Sequence, residues 1–204
     1  MGNGFYLRRG KRVVDLVLSA IALVAASPVA LLVAIAVRLS MGSPVLFKQV
    51  RVGRNNAEFE MFKFRTMRDS VDSQSRLLPD GERVTRTGAF LRSASLDEIP
   101  ELINVLRGEM SLVGPRPLLP RYLGRYSPTQ ARRHEVLPGL TGLAQTSGRN
   151  QLTWDEQFEL DVEYVDSLDL RQDLAIMVRT VGEVLGRDAE RSASTSTKPF
   201  FDEV

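Results

Sequence analysis

Cysteine is absent from the 204 residues, and histidine occurs once, at His134. Without a thiol there is no disulfide and no thiolate metal site, which excludes a disulfide-stapled secreted fold. A single imidazole excludes a histidine-rich zinc centre. A large charge imbalance is also missing. Lys and Arg number 27 against 25 Asp and Glu, a net charge of +2, which argues against a nucleic-acid partner held by bulk charge. There is no internal repeat and no low-complexity tract. Hydrophobic residues make up 43% of the chain, enough for one compact core plus an anchor.

Residues 16–37 form an uncharged run of 22 residues. A bilayer core about 30 Å thick takes roughly 20 apolar residues as a helix. The run is long for a signal-peptide core of about 7–15 residues, although Ala25-Ala26-Ser27 leaves a cleaved, exported form as an alternative. Ser27-Pro28 falls at its middle, and proline removes a helical N–H and clashes with the preceding turn. Each half would be about 15–18 Å long at about 1.5 Å per residue, close to one leaflet. Both flanks are basic, with Arg8, Arg9, Lys11 and Arg12 before and Arg38, Lys48, Arg51 and Arg54 after. Positive charge marks the cytoplasmic side. Two basic flanks suit a re-entrant helix, whereas a proline by itself is also tolerated in a spanning one.

Beyond Met41 the periodicity changes. Val45, Phe47, Val50 and Val52, then Phe59, Met61, Phe62 and Phe64, flank Gly53-Arg54-Asn55-Asn56 and predict a β-hairpin. Residues 69–86 are polar and turn-rich. Ser95 is expected to open a helix whose apolar face is Leu96, Ile99, Leu102, Ile103 and Leu106, with Gly108 as its stop. Two prolines fix the backbone on either side of Arg116. Residues 138–142 read as a rigid turn. Thr153 with Glu156 predicts a capping box for a helix to about Asp166. Leu174, Met177, Val178, Val181, Val184 and Leu185 mark a last amphipathic helix. The expected class is α+β with helices dominant: an N-terminal membrane helix (1–40), a catalytic domain at the membrane surface (41–187) and a polar tail (188–204).

Asp97-Glu98 is the sharpest chemical candidate. Adjacent carboxylates can hold a divalent cation, and a carboxylate can accept a phosphoryl group. Ser95-Leu96-Asp97-Glu98 equally fits a capping box in which Glu98 bonds back to the Ser95 amide. Lys63, Arg65, Arg92 and Arg116 lie near element ends. Such cations suit a diphosphate with Mg²⁺, but anionic lipid headgroups attract the same charges.

Five strings occur in order: Phe62-Lys63-Phe64-Arg65-Thr66-Met67, then Leu91-Arg92-Ser93 through Ser95-Leu96-Asp97-Glu98-Ile99-Pro100-Glu101-Leu102, then Ser111-Leu112-Val113-Gly114-Pro115-Arg116-Pro117, Pro138-Gly139-Leu140-Thr141-Gly142 and Ser147-Gly148-Arg149-Asn150. Together with the basic-flanked Ser27-Pro28 helix they resemble the bacterial sugar transferase family, the monotopic polyprenyl-phosphate phosphoglycosyl transferases, in its small form. The resemblance runs from about Lys11 to Leu185. It implies a re-entrant helix broken at Ser27-Pro28. It also implies a nucleophile, Asp97, that attacks the sugar-linked phosphate of a UDP-sugar, releases UMP and leaves a sugar-phospho-aspartate. Polyprenyl phosphate (undecaprenyl phosphate) would then take the sugar phosphate, the first step of membrane-linked glycan assembly. Mg²⁺ would bind at Asp97 and Glu98. Arg116 would hold phosphate, Lys63, Arg92 and Asp173 match further family positions near the site, and Arg149 is a nucleotide contact. The implied place is the cytoplasmic face of the bacterial inner membrane, among its lipids, with no nucleic-acid partner; a homodimer is compatible with the sequence but not demanded by it. The alternatives are direct displacement without a covalent intermediate, and a membrane-bound nucleotide-sugar binding or scaffold protein without catalysis.

Overall fold

The computed structural model describes residues 6–76, 78–148, 151–185 and 201. Its apolar run is one α-helix, α1 (Lys11–Met41), entered through a π-helical turn at Tyr6–Gly10. Asp15, Ser19, Val33 and Val37 are buried along one stripe of α1. The other faces leave Leu16, Ile21, Val24, Leu31, Leu32 and Leu39 exposed. The break expected at Ser27-Pro28 is not an interruption, because Pro28 lies inside the continuous helix. Pro28 has no N–H for the Val24 carbonyl, and the Ser27 hydroxyl donates to that oxygen instead, at 2.8 Å.

Both ends of α1 rest on the same body. The Arg12 guanidinium donates to the Val105 and Leu106 carbonyls, and Asp15 Oδ1 accepts from Ser111 Oγ and the Leu112 amide. At the far end Val33 and Val37 pack with Phe64 and Leu91, against partly buried Leu96 and Ile99.

Strands β1 (Leu46–Val52) and β2 (Glu58–Phe64) form the expected antiparallel hairpin, in register from Leu46 opposite Phe64 to Val52 opposite Glu58. Its tip holds Asn55 and Asn56 at positive φ, a conformation asparagine tolerates better than most residues. The polar stretch holds α2 (Asp80–Arg83) and leads into α3 (Arg86–Ser93), which is capped by the Thr85 side chain.

The helix expected from Ser95 starts later. Leu96–Glu98 is a 3₁₀ turn, and α4 (Glu101–Arg107) follows Pro100. Proline cannot donate to the Leu96 carbonyl, which takes the Ile99 amide instead. Gly108, at φ 85°, is the expected stop.

A second sheet has two parallel strands: β3 (Ser111–Val113), just before the prolines around Arg116, and β4 (Gly139–Thr141), in the segment expected to be a rigid turn. Between them run a 3₁₀ segment Pro120–Arg125, α5 (Pro128–Ala131) and a 3₁₀ turn Arg132–Glu135. Helices α6 (Leu143–Ser147), α7 (Trp154–Ser167) and α8 (Leu170–Leu185) complete the α+β fold. The Thr153–Glu156 capping box is present at the start of α7. Of the expected tail, only Phe201 falls among the described residues. Its ring packs against Tyr122, Tyr126, Trp154 and Phe158.

Candidate active site

The 3₁₀ turn at Leu96–Glu98 directs two adjacent carboxylates into different surroundings. Ser95 sits in the left-handed region at φ 54°, and its amide donates to the Arg92 carbonyl. The capping-box alternative therefore fails: Glu98 does not reach back to Ser95. Its Oε1 accepts from Lys63 Nζ at 2.6 Å and from Arg116 Nη2 at 2.9 Å. Burial works against ionisation of Glu98, but the two cations outweigh it and hold the carboxyl well below the usual range.

Asp97 is buried, at 8% exposure, yet no other side chain among the described residues hydrogen-bonds its carboxylate. Burial raises its pKa; Glu98 adds to this, while Lys63 and Arg92 oppose it. A carboxylate short of hydrogen bonds and disfavoured by burial is more basic, hence more nucleophilic, than one on a surface.

The cations come from separate elements. Lys63 on β2 also meets Glu101 Oε1 at 3.0 Å. Arg92 on α3 donates from Nε to Thr66 Oγ1. Gly88, one helical turn earlier, makes that possible, because a Cβ there would overlap the Thr66 backbone. Arg116 stands on the segment after β3, where Gly114 and Gly139 pass too close for side chains. Behind the dyad, Leu96 and Ile99 pack against the cluster of Val33, Val37, Phe64 and Leu91, which links the carboxylate turn to the apolar helix.

Asp97, Glu98, Lys63, Arg92 and Arg116 thus converge. Asp173 does not join them. It is 1% exposed and saturated: Lys11 Nζ pairs with it at 2.7 Å, and Tyr164 and Tyr6 both donate to it. Burial and Asp173 push both phenols up, so each remains a donor. Lys11 and Tyr164 also bond the Val113 carbonyl, making Asp173 a tie between α8 and the start of α1. Arg149 lies outside the described residues.

Sequence reasoning left Glu101 and Arg133 without roles. Glu101 is 3% exposed, and burial followed by repulsion from Glu98 raises its pKa. An acid in a first helical turn is ordinary, so nothing distinguished it. Arg133 forms a buried pair with Asp161 at 2.7 Å, invisible in a sequence where the two lie far apart.

A buried carboxylate among cations, on a turn beside a largely exposed apolar helix, is an arrangement suited to phosphoryl transfer at a membrane, and the relatives of the chain make it a phosphoglycosyl transferase. The bacterial sugar transferase profile matches residues 6–187, and the chain belongs to that family. It is 52% identical over 191 residues to the uncharacterized sugar transferase EpsL of Bacillus subtilis, covering 94% of this chain and 95% of that one. It is 41% identical to the UDP-glucose:undecaprenyl-phosphate glucose-1-phosphate transferase of Caulobacter vibrioides, over 87% of this chain and 70% of that one. The Xanthomonas campestris protein of the same name is 38% identical over 89% of this chain but only 40% of its own length.

Proposed function

We propose that the protein transfers a sugar 1-phosphate from a UDP-sugar to polyprenyl phosphate, undecaprenyl phosphate as in the names of its relatives, in two steps through Asp97. An Asp97 carboxylate oxygen attacks the sugar-bearing phosphorus of the donor. The bond from that phosphorus to the bridging oxygen breaks, and UMP departs with the electron pair. A phosphate oxygen of the lipid carrier then attacks the phospho-aspartate, restores the carboxylate and forms polyprenyl-diphosphate-sugar. The observation that carries this reading is the contrast within the dyad. Glu98 is held by Lys63 and Arg116, while the Asp97 carboxylate is buried and left open to an electrophile.

Magnesium suits the donor set. Both cations engage Glu98 through Oε1, so Oε2 and the Asp97 carboxylate are open hard oxygens. No cluster of three ligating side chains occurs among the described residues, so phosphate oxygens and water would complete the shell, as is usual for Mg²⁺. The ion would neutralise charge on the diphosphate. Arg116, Lys63 and Arg92 would share that task.

We infer that α1 lies in the cytoplasmic leaflet and does not cross it. Both of its ends pack on one body, so a transmembrane course would require that body at both faces of the bilayer. The exposed Leu31, Leu32 and Leu39 would then face lipid, and the dyad behind α1 would sit near the headgroups, within reach of a lipid-borne phosphate.

The test is incubation with UDP-sugars labelled in the β-phosphate, with Mg²⁺ and without polyprenyl phosphate, beside Asp97→Asn. Label on the wild type and none on the variant is expected. Product formed on adding the lipid, with no labelled protein beforehand, would instead mean direct displacement. Donor binding without UMP release would mean a binding protein.

A further inference from the structure

We propose that Arg51 and Arg133 are positioning residues that aim the Arg116 guanidinium at the donor's diphosphate. The inference rests on the reading of Arg116 as a phosphate-binding group. Four consecutive carbonyls of the Arg116 segment each accept a hydrogen bond from elsewhere in the fold. Pro115 O takes the Gly139 amide at 2.9 Å, and Arg116 O takes Arg133 Nη2 at 2.7 Å. Pro117 O takes Arg51 Nη1 at 3.2 Å, and Leu118 O takes the Val52 amide at 3.0 Å. The donors belong to β1, β4 and the 132–135 turn, three segments far apart in sequence. The two prolines already fix φ on either side of Arg116. Backbone freedom is therefore removed where one side chain, 44% exposed, reaches out to Glu98. Orienting groups of this kind are what phosphoryl transfer needs, since its catalysis is largely positioning and charge stabilisation.

Each of the two guanidiniums is itself anchored. Arg133 donates Nε and Nη2 to Asp161 Oδ2 at 3.0 and 2.7 Å, and it lies against the Tyr126 and Phe158 rings at 5.8 and 5.5 Å. Arg51 Nη2 donates to Gln49 Oε1 at 2.6 Å. Burial and the nearby Arg116 push the Arg51 guanidinium down to about 10, so it remains charged near neutrality. Two like charges kept close oppose each other unless an anion lies between or beside them. Glu98 and Glu101 supply part of that negative charge, and a donor diphosphate would supply more.

The test measures KM for the UDP-sugar and for polyprenyl phosphate in Arg51→Met, in Arg133→Met paired with Asp161→Leu, in Arg116→Ala, and in each combined with Arg116→Ala. The paired change removes both buried charges, so neither is left unpaired. Expected is a donor KM raised roughly ten- to hundredfold in the first two, the range of a misplaced binding group. The lipid KM should stay unchanged, and no further loss should appear in the Arg116→Ala background. A donor KM at the wild-type value in Arg51→Met overturns the proposal, as does a full additional loss when Arg116 is already absent. Arg51→Met leaves the Arg133–Asp161 pair intact and decides the matter alone if the paired variant does not fold. Unchanged donor KM and labelling in Arg116→Ala would overturn the phosphate reading of Arg116 itself.

Discussion

Two groups of acids in this molecule use similar residues and end in opposite states. Asp173 and Asp161 are almost fully enclosed. Each is matched by a buried cation, Lys11 or Arg133, and Asp173 by two tyrosines as well. Asp97 is nearly as buried, but no side chain among the described residues hydrogen-bonds it. The first arrangement is a structural tie, since a buried charge whose partners are complete has nothing left to offer. The second leaves a buried carboxylate without a side-chain partner, the state the proposed attack on the donor requires. Burial is shared by both, so the number of partners separates an acid that holds the fold from one available for chemistry.

The sharpest break of that comparison is Asp97→Asn. Turnover and covalent labelling should fall by at least about a thousandfold, about 4 kcal/mol of barrier. The melting temperature at pH 7 should stay the same or rise. Asp161→Leu should act on the fold instead. It strands a buried guanidinium, and such losses run to about 3–5 kcal/mol, seen as a large drop in thermal stability. Asp173→Asn keeps the shape but loses the Lys11 pair. It should cost about 1–3 kcal/mol of stability, with labelling of Asp97 by the donor retained in the folded fraction.

A pH series sharpens the contrast inside the dyad. Burial and Glu98 raise the folded pKa of Asp97, so its contribution to stability is present below the unfolded value and lost as pH rises through the folded one. Glu98 is the opposite. Lys63 and Arg116 overcome burial and depress its pKa, so its contribution is present above the unfolded value of about 4.3 and lost as pH falls through the depressed one. Glu98→Gln should therefore lower the melting temperature at pH 7, with the deficit closing in acid. The acid limb of Asp97 labelling should lie higher in pH than for an exposed aspartate. The smallest effect is expected from Arg132→Ala. Its partners Asp166 and Glu135 are on the surface, and no change in melting temperature should be measurable.

Local chemistry was readable from the chain. The Asn-rich hairpin tip, the Gly108 stop, the Thr153–Glu156 capping box and the length of the apolar run each depend on residues a few positions apart. Such features survive in any fold that contains them. The ordered motif strings also carried the family, and with it Asp97, Glu98, Lys63, Arg92 and Arg116. Where local rules competed, the reading went astray. Ser95-Leu96-Asp97-Glu98 satisfies a capping box on paper, yet Lys63 and Arg116 claim the Glu98 carboxylate, and Pro100 delays the helix.

Residue types and their spacing along the chain suffice to place an apolar helix ahead of an α+β body with an acid pair and scattered cations. They could not say which acids are satisfied. That depends on Lys11 meeting Asp173, on Asp161 meeting Arg133, and on Arg51 and Arg133 reaching successive carbonyls beside Arg116. Those contacts join residues far apart in the chain and exist only once it has folded. The physical reason is that the charge state and reactivity of a carboxylate are set by its burial and its partners in space, and neither is a property of its neighbours along the chain.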